Sequence, residues 1–462
     1  MCDKVSIFIL KLYSHPKFSD RNRIRNVENG HEQINLAYSL DERLPLGLAV
    51  LHGLQWLLVF LPILTIVSAI AADFLELGPE AKSAFFQRTL LLCGVMTTIQ
   101  TLLGHRLPLT DGPAAALLLC LATVAPAGME AISGGMIVGG LLLLLCGSLR
   151  LMRYLIPLFT DRVIGVILLL IALTILPFLL PMLIGVDATH PQGRPLVFSL
   201  SLILIAIMAV MTNRLAGRLK TLSLFLGVGL GTVLFAAFGL LDLSEVDSVP
   251  WVAIPNPAWG PWPRLNLSAI ITFSLAYLAV LVNTMGSVTS LSPIVGARHV
   301  DSRLDRGLAL TGVGGVLAGL GGVVGTVPYS NSPGVVTVTR VGTRFALTAT
   351  GIILILLAFF NKVTFLLTAI PDAVVASALL TAMAAQIGVG MNIIQNTGNP
   401  MTGRDFMVVG IPILMGVMGG LLPLAFLNQV PNILKPIINN GLIVGLLLVL
   451  LLEHVLLKKE TT

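Results

Sequence analysis

The chain carries little charge for its length. Only 11% of its 462 residues are Asp, Glu, Lys or Arg, against about 25% in ordinary globular domains. Hydrophobic residues make up 56% of the chain, and the mean hydropathy is +0.94. So few charges cannot cover a surface that faces water. Disordered, nucleic-acid-binding and disulfide-rich secreted proteins are excluded by the same figures, and the composition indicates a membrane protein.

The sequence also lacks the motifs of several enzyme classes. It contains no Walker sequence, no HExxH, no GxSxG and no CxxC. A metal-dependent membrane enzyme would need clustered Asp, Glu or His beside a span, and the sequence has no such cluster. We therefore expect that the protein is not an enzyme and that it holds no metal and no other cofactor.

Long apolar runs are the main feature that the chain does have. Cut at charges and turn residues, they give fourteen segments, most of them long enough to cross about 30 Å of hydrocarbon. The predicted fold class is an all-α polytopic membrane protein with fourteen transmembrane segments. The segments are 47–73, 83–103, 107–125, 132–149, 162–185, 196–213, 221–241, 266–291, 307–326, 327–339, 345–361, 364–391, 406–427 and 434–457.

Basic residues are distributed unevenly between alternate loops. If the N-terminus is cytoplasmic and every segment crosses, 22 of the 28 Lys and Arg residues lie on the cytoplasmic side, as the positive-inside rule requires. We therefore expect a multi-pass protein of the cell membrane with both termini in the cytoplasm. The predicted tail is 1–45, the predicted long outer loop is 242–265, and the predicted cytoplasmic C-terminus is 458–462.

The two halves of the chain resemble each other weakly. The segments 161–165 and 372–376 each begin with Asp and open a helix, 211 residues apart. This pattern predicts two seven-span repeats, 46–241 and 266–457. Because seven is odd, the second repeat enters the membrane from the opposite side, which is typical of secondary transporters. Chance similarity between apolar runs is the alternative.

Two segments interrupted by Pro and Gly occupy matching positions in these halves, 111–114 and 332–335. Pro lacks a backbone donor and Gly relaxes the backbone, so both weaken a helix. Non-helical backbone at membrane depth is tolerated only where it is buried in protein or lines a cavity. The pair therefore indicates a polar ligand site near the membrane midplane, with two ordinary Pro kinks as the alternative.

Six short motifs, in order along the chain, resemble those of the xanthine/uracil permease, or nucleobase–ascorbate transporter, family. They are Tyr38-Ser-Leu-Asp-Glu-Arg-Leu-Pro45, Gly53-Leu-Gln-Trp56, Arg306-Gly307 with a Gly-rich run to Gly325, Tyr329 to Val335 with Thr339-Arg-Val341, Ile370-Pro371 with Val374, and Leu434-Lys-Pro436 to Gly445. The likeness covers residues 38 to 457. The chain resembles a divergent, purine-permease-like member of this family.

This resemblance implies a core domain of spans 1–4 and 8–11 and a gate domain of spans 5–7 and 12–14. Spans 3 and 10 would each begin as a short strand, with the ligand between these strands and span 8. The implied function is secondary active import of a nucleobase by proton symport with alternating access, the base being uracil or a purine such as xanthine, uric acid or adenine. The implied partners are this small-molecule substrate, a proton or sodium ion, and membrane lipid. The sequence leaves a homodimer open.

The chain departs from the family pattern at three positions. Well-known relatives have an acid in span 8 and Glu or Gln in span 10, whereas these places read Asn283 and Asn331 here, and the first-span His is Trp56. Hydrogen-bonding groups remain, but the two familiar carboxylates do not. The alternative function is therefore an anion transporter, for sulfate- or bicarbonate-like ions, or a uniporter on the same inverted-repeat fold.

A nucleobase is flat and has donors and acceptors along its edge, so its site needs amides or hydroxyls and an aromatic face. The alternative role of Asn283 is an interhelical hydrogen bond. The alternative role of Asn331 is to cap the half-helix that follows it. Trp56 has a lipid- or core-facing position as its alternative. The substrate-binding candidates are Asn283, Asn331, Ser332, Gln55, Trp56, Tyr329, and the backbone at Ala114 and Gly334.

Proton coupling needs an ionisable group inside the membrane. Asp111 is the candidate because it stands directly before Gly112 and Pro113 of the first interrupted segment. Its alternative role is capping of that half-helix, with Arg106 as a charge partner. We expect His105 to form a cytoplasmic anchor together with Arg106.

The predicted topology is testable by cysteine labelling in a background without the four native cysteines. A Ser248→Cys protein should react with an impermeant maleimide in intact cells, because residue 248 lies in the predicted outer loop. A Ser302→Cys protein should react only after permeabilisation, because residue 302 lies in a predicted cytoplasmic loop. The reverse labelling pattern would contradict this topology.

Overall fold

The structure is a computed structural model that describes residues 36–187, 189–244, 246–255, 262–395, 401–431 and 434–458. Most of the predicted tail, residues 1–35, and part of the predicted outer loop, residues 256–261, therefore lie outside the described residues. Within the described residues the chain is mostly helical, with two three-residue strands.

The first half of the chain holds eight helices of eight residues or more within the described residues. These elements are α1 (Leu46–Phe74), α2 (Pro79–Leu102), β1 (Asp111–Pro113), α3 (Ala115–Val124), α4 (Met129–Ser148), α5 (Asp161–Thr174), α6 (Leu176–Ile184), α7 (Pro195–Arg214) and α8 (Ser223–Ala237). Shorter helical turns are Ala125–Ala127, Met152–Leu155, Ile156–Leu158, Gly217–Thr221 and Val246–Ser248.

The second half of the described chain also holds eight such helices. These elements are α9 (Leu267–Ile294), α10 (Val300–Gly321), β2 (Thr326–Pro328), α11 (Ser332–Thr339), α12 (Arg344–Leu357), α13 (Asn361–Thr368), α14 (Asp372–Gln395), α15 (Gly403–Gly419) and α16 (Gly441–Leu451). Shorter turns are Leu424–Leu427, Lys435–Ile438 and a π-helical turn, Leu452–Leu456, that continues α16.

Six helical stretches in the described residues are long and apolar enough to cross a membrane. They are α1, α4, the α5–α6 pair, α7, α9 and α14, and the bent pair α12–α13 gives a seventh if it is counted as one span. The prediction of an apolar, helical membrane protein is therefore confirmed. The count of fourteen stays a prediction, because the remaining helices are shorter or more polar.

Two predicted segments are wrong in their extent. The run 364–391 is divided into α13 and α14, and α13 lies at 94° to α12. Pro371 stands immediately before α14, where its ring disfavours helical backbone at the preceding residue. The run is apolar throughout, so hydropathy alone did not reveal this break. The predicted run 406–427 is likewise divided, because α15 ends at Gly419 and a short turn follows.

The helices α1–α4 and α9–α12 pack together, and we call them the first helix group. Within this group α4 packs mainly on α10, and α12 packs mainly on α2. Glycines bring the two backbones into contact at both of these crossings. A Cβ on Gly94 would lie 2.7 Å from the Gly351 carbonyl oxygen, and one on Gly312 would lie 2.6 Å from that of Gly140. Only glycine permits this approach, and small residues commonly mediate close packing of membrane helices.

The second helix group consists of α5–α8 and α14–α16. In this group α14 packs on α5 and α7, while α15 packs on α16 and α5. Gly165 of α5 and Gly390 of α14 meet in the same way as the glycines above, since a Cβ on Gly165 would lie 2.8 Å from the Gly390 oxygen. The strands belong to the first group, and the second group faces them across a cavity.

The strands β1 and β2 form an antiparallel pair that is buried along its whole length. Asp111 is opposite Pro328, and Pro113 is opposite Thr326. Just beyond the paired residues, the Ala114 N–H donates to the Gly325 oxygen at 2.9 Å, and the Tyr329 N–H donates to the Thr110 oxygen at 2.9 Å. The pairing satisfies backbone groups that would otherwise lie unbonded in an apolar interior.

Three buried charges and one partly buried charge join three helix ends of the second group. Arg162 of α5 lies 3.0 Å from an Asp405 carboxylate oxygen and 3.9 Å from Glu453, which follows α16. Arg404 lies 2.8 Å from the other Glu453 oxygen and 3.3 Å from Asp405. Thr402 and Asp405 form a capping box at the start of α15. The network therefore ties α5, α15 and α16 together by alternating charge.

Removing one member of this network should be costly. An Arg162→Ala protein leaves a buried carboxylate short of a partner, so we expect a loss of about 3 kcal/mol in the free energy of unfolding. The control is Arg194→Ala, because Arg194 pairs with Asp187 at 2.8 Å while both side chains are about one-third exposed or more, and it should cost less than about 1 kcal/mol. Chemical unfolding in mixed detergent micelles measures both, and equal losses would contradict the argument.

Candidate functional site

A cavity of about 580 Å³ lies between the two helix groups. The first group contributes α1, the start of α3, α9 and the β2–α11 turn, whereas the second contributes α5, α7, residues 220–224 and α14. A second cavity, of about 570 Å³, lies on the predicted outer side, and its lining includes charged residues at helix ends, Asp73, Lys82 and Asp372. The first cavity is the candidate site, because it touches both interrupted segments.

Five of the predicted binding residues line this cavity: Ala114, Asn283, Tyr329, Asn331 and Gly334. The other predicted residues, Gln55, Trp56, Ser332 and Asp111, are not among its lining residues. A direct contact between any of these four and a ligand would need a different conformation. Their roles stay predictions.

Asn283 connects α9 to the strand pair. Its side-chain amide donates to the Pro328 carbonyl oxygen at 3.2 Å, and the Ser287 hydroxyl donates to the same oxygen at 2.9 Å. An Asn amide has a second N–H and a carbonyl oxygen, so this bond leaves hydrogen-bonding groups for a ligand. The predicted interhelical role is thus realised as a bond to β2, and it is compatible with ligand recognition.

Tyr329 lies at the end of an aromatic column. Its ring stacks on Phe60 with centroids 5.7 Å apart, and Phe60 stacks on Trp56 at 5.6 Å. A Cβ on Gly112 would lie 2.3 Å from the Tyr329 ring, so glycine at 112 provides the space that this ring occupies. Trp56 is wholly buried and supports the aromatic face from behind.

The half-helices α3 and α11 both begin at the cavity. Their N-cap residues, Ala114 and Asn331, make no side-chain capping bond, so Asn331 does not cap α11 as its alternative role required. The first amides of a helix have no intrahelical acceptor, and the helix N-terminus carries a partial positive charge. The Ser332 hydroxyl is buried without a hydrogen-bond partner among the described residues.

The wall formed by the second group was missed by sequence reasoning. It presents Thr381 and Gln386 of α14, Thr212 of α7 and Lys220. Gln386 donates to the Leu168 oxygen at 3.2 Å, so its side chain is already oriented by α5. Isolated polar residues inside an apolar run were the only signal in the sequence. Among the described lining residues Lys220 is the one charged side chain, and none is a carboxylate.

Asp111 is fully buried beside His105, which is also fully buried. The His105 Nε2 atom lies 3.9 Å from an Asp111 carboxylate oxygen, and both carboxylate oxygens lack hydrogen-bond partners among the described residues. The prediction that His105 forms a cytoplasmic anchor with Arg106 is therefore wrong for His105, whose ring is enclosed by protein. Capping by Asp111 is not observed either, since Ala114 is the N-cap of α3.

Comparison with known proteins identifies the class. Residues 47–424 match the model of xanthine/uracil permeases, described as a permease family. Because the match covers most of the chain, the chain belongs to this family, and the resemblance found in the sequence is confirmed. It is a multi-pass membrane protein of a transporter family.

Several curated relatives match over nearly the whole chain. The uric acid transporter UacT of Escherichia coli is 26% identical over 88% of this chain and 86% of its own length. The putative purine permease CPE0397 of Clostridium perfringens is 24% identical over 96% of this chain and 97% of its own length. The uric acid permease PucJ of Bacillus subtilis is 25% identical over 84% of this chain and 88% of its own length. These relatives are named as transporters and permeases, which supports a role in transport.

Solved structures share the fold at low sequence identity. The transmembrane domain of the cyanobacterial bicarbonate transporter BicA superposes with a TM-score of 0.58, at 17% identity, over 82% of this chain and 97% of that one. Murine Slc26a9, an anion transporter in the inward-facing state, superposes with a TM-score of 0.57 at 9% identity. The match covers 95% of this chain and 74% of that one. At these identities the likeness shows the architecture alone.

The role of Asn283 can be separated from its bond to β2 with a matched pair of variants. Asn283→Ala and Ser287→Ala each remove one donor to the Pro328 oxygen, but only residue 283 lines the cavity. If Asn283 reads the ligand edge, its loss should weaken binding by about 1–3 kcal/mol, or roughly 5- to 150-fold. Ser287→Ala should change affinity much less. Equal effects in calorimetry with purines would assign Asn283 a structural role.

Proposed function

We propose that the protein is a secondary active transporter that imports a nucleobase, with a purine such as uric acid or xanthine as the substrate class. The cavity between the helix groups carries this proposal, because an aromatic residue, Tyr329, and two amide residues, Asn283 and Asn331, line it together. One aromatic face and a few amides suit a flat heterocycle. The names of the curated relatives support the same class.

Alternating access between the two helix groups is the proposed mechanism. In the two halves, α1 corresponds to α9, α2 to α10 and α4 to α12. The contact of α4 with α10 therefore corresponds to that of α12 with α2, and the contact of α4 with α9 corresponds to that of α12 with α1. All four contacts are present. Antiparallel pairing of β1 with β2 suits a two-fold axis between them. These relations support two inverted seven-span repeats, with the first group as core and the second as gate. Fourteen spans would put both termini on the same side of the membrane, and the distribution of Lys and Arg favours the cytoplasm.

Anion transport is the second candidate. One observation favours it: the described lining residues include Lys220 and no carboxylate, and two uncapped helix N-termini begin at the cavity. Such a site attracts negative charge. A uniporter on this fold is the corresponding possibility without a coupling ion.

A substrate panel in loaded vesicles tests the proposed function. Purified protein in liposomes should exchange radiolabelled uric acid, xanthine or another purine, and excess unlabelled purine should compete. Sulfate and bicarbonate should neither exchange nor compete. Exchange of the inorganic anions without any nucleobase would overturn the proposal and establish the second candidate.

We propose Asp111 as the residue that carries the coupling proton. It is buried, it belongs to the strand next to the cavity, and Pro113 two residues later lines that cavity. A buried carboxyl without hydrogen-bond partners is costly in its ionised form, which favours taking up a proton.

An Asp111→Asn protein should separate exchange from accumulation. Exchange needs no net proton movement, so it should persist at about the wild-type rate. Accumulation driven by a pH gradient should be lost, because Asn cannot carry a proton. The same vesicles measure both quantities, with exchange as the internal control. Accumulation that stays driven by the gradient would remove Asp111 from the mechanism.

A further inference from the structure

The loop between α2 and β1 fixes the ring of His105 in one protonation form. The backbone N–H of Leu107 donates to His105 Nδ1 at 3.0 Å. A backbone N–H is always a donor, so Nδ1 must be the acceptor and cannot carry a proton. The ring is therefore neutral with its proton on Nε2, the atom that faces Asp111.

The backbone of this loop is held in place from two sides. Arg106 has a φ of 55°, in the left-handed region that non-glycine residues rarely adopt. This turn directs the Leu107 N–H back towards the His105 ring. Arg303 of α10 donates to the carbonyl oxygens of His105 and Arg106 at 3.0 and 2.9 Å. Gln100 of α2 accepts from the His105 N–H at 3.4 Å.

The neighbours of Asp111 leave few places for a proton. The titratable groups near its carboxyl are His105, the Cys93 thiol of α2 and the Tyr329 phenol that follows β2. A buried thiol and a buried phenol stay neutral near pH 7. The charged groups on this side are Arg303 and its neighbours Arg106, Arg306, Arg344 and Asp41. The Arg303 guanidinium bonds the loop backbone rather than the Asp111 carboxylate. Protonating His105 would set Nδ1–H against Leu107 N–H.

From this geometry we infer that Asp111 and His105 form a two-residue proton site in which Asp111 holds the proton and His105 only positions and stabilises the carboxylate. When Asp111 is ionised, an approach of about 1 Å brings Nε2–H to hydrogen-bond distance of its oxygen. The separation of 3.9 Å leaves room for this approach, and protonation of Asp111 removes the negative charge that attracts Nε2–H. The inference rests on the proposed coupling at Asp111 and assigns the proton within it.

The site is mechanically connected to the cavity. Asp111 is opposite Pro328 in the strand pair, and the Pro328 carbonyl oxygen accepts from Asn283 and Ser287. A shift of β1 when the carboxylate binds or releases His105 is therefore transmitted through β2 to the residue proposed to read the ligand.

Two substitutions of His105 separate a positioning role from a structural one. Asn at 105 places an amide oxygen near the Nδ1 position and keeps the acceptor for Leu107, but it removes the donor that faces Asp111. Gln places an N–H near the Nε2 position and keeps that donor, but it leaves the Leu107 N–H without its acceptor. The two variants thus retain opposite halves of the imidazole.

Infrared titration of the full-length protein in nanodiscs reads the carboxyl group directly, with Asp111→Asn assigning the protonated C=O band. In His105→Asn the band should persist to higher pH than in wild type, because the carboxylate has lost a hydrogen bond that favours its ionised form. In His105→Gln it should stay close to wild type. A near-wild-type band in His105→Asn together with a displaced band in His105→Gln would overturn the inference.

Nitrogen-15 NMR of histidine-labelled protein provides the second measurement. The signals that disappear in His105→Asn assign the ring among the seven histidines. They should report a neutral ring with its proton on Nε2, because Nδ1 accepts from the Leu107 N–H. An imidazolium, or a ring with its proton on Nδ1, would overturn the inference. Neither spectrum needs substrate or a gradient, so a protein that proves to be a uniporter would still give one of these answers.

Discussion

The need to satisfy buried backbone groups where two helices are interrupted governs the architecture. A helix that starts partway through an apolar interior leaves amides and carbonyls that water cannot reach. The pair β1–β2 meets this need by joining the two interruptions to each other. Because the pair is antiparallel, α3 and α11 approach it from opposite sides, and their uncapped N-termini begin at one cavity.

The same pairing places the functional groups. Prolines occupy one end of each strand, so each strand has a residue that cannot donate to the ladder. The Pro328 carbonyl instead accepts from Asn283 and Ser287, and the Asp111 N–H turns to the Thr97 hydroxyl at 3.0 Å. The ionisable Asp111 and the cavity residue Tyr329 thus lie on or next to one strand pair, and Asn283 bonds to that pair from α9.

The position of the site could be predicted from the sequence, because Pro and Gly interrupt apolar runs at 111–114 and 332–335 for reasons that are local. The wall formed by Thr381 and Gln386 could not, since the direction of an isolated polar residue depends on how its helix packs. The sequence predicts a cytoplasmic anchor at His105, because this residue stands beside Arg106 near the end of an apolar run. The left-handed backbone at Arg106 turns the chain there, and no residue type in that stretch predicts such a turn.

The glycine contacts within the first helix group determine which motions this fold permits. Where the backbones of α2 and α12, and of α4 and α10, lie against each other, no layer of side chains separates them. Packed helices usually adjust by sliding a little on flexible side chains, a shear motion. Backbones in such close contact must separate before they can slide, so these contacts oppose shear within the group. The softer boundary is the cavity itself, along which side chains, rather than backbones, face each other.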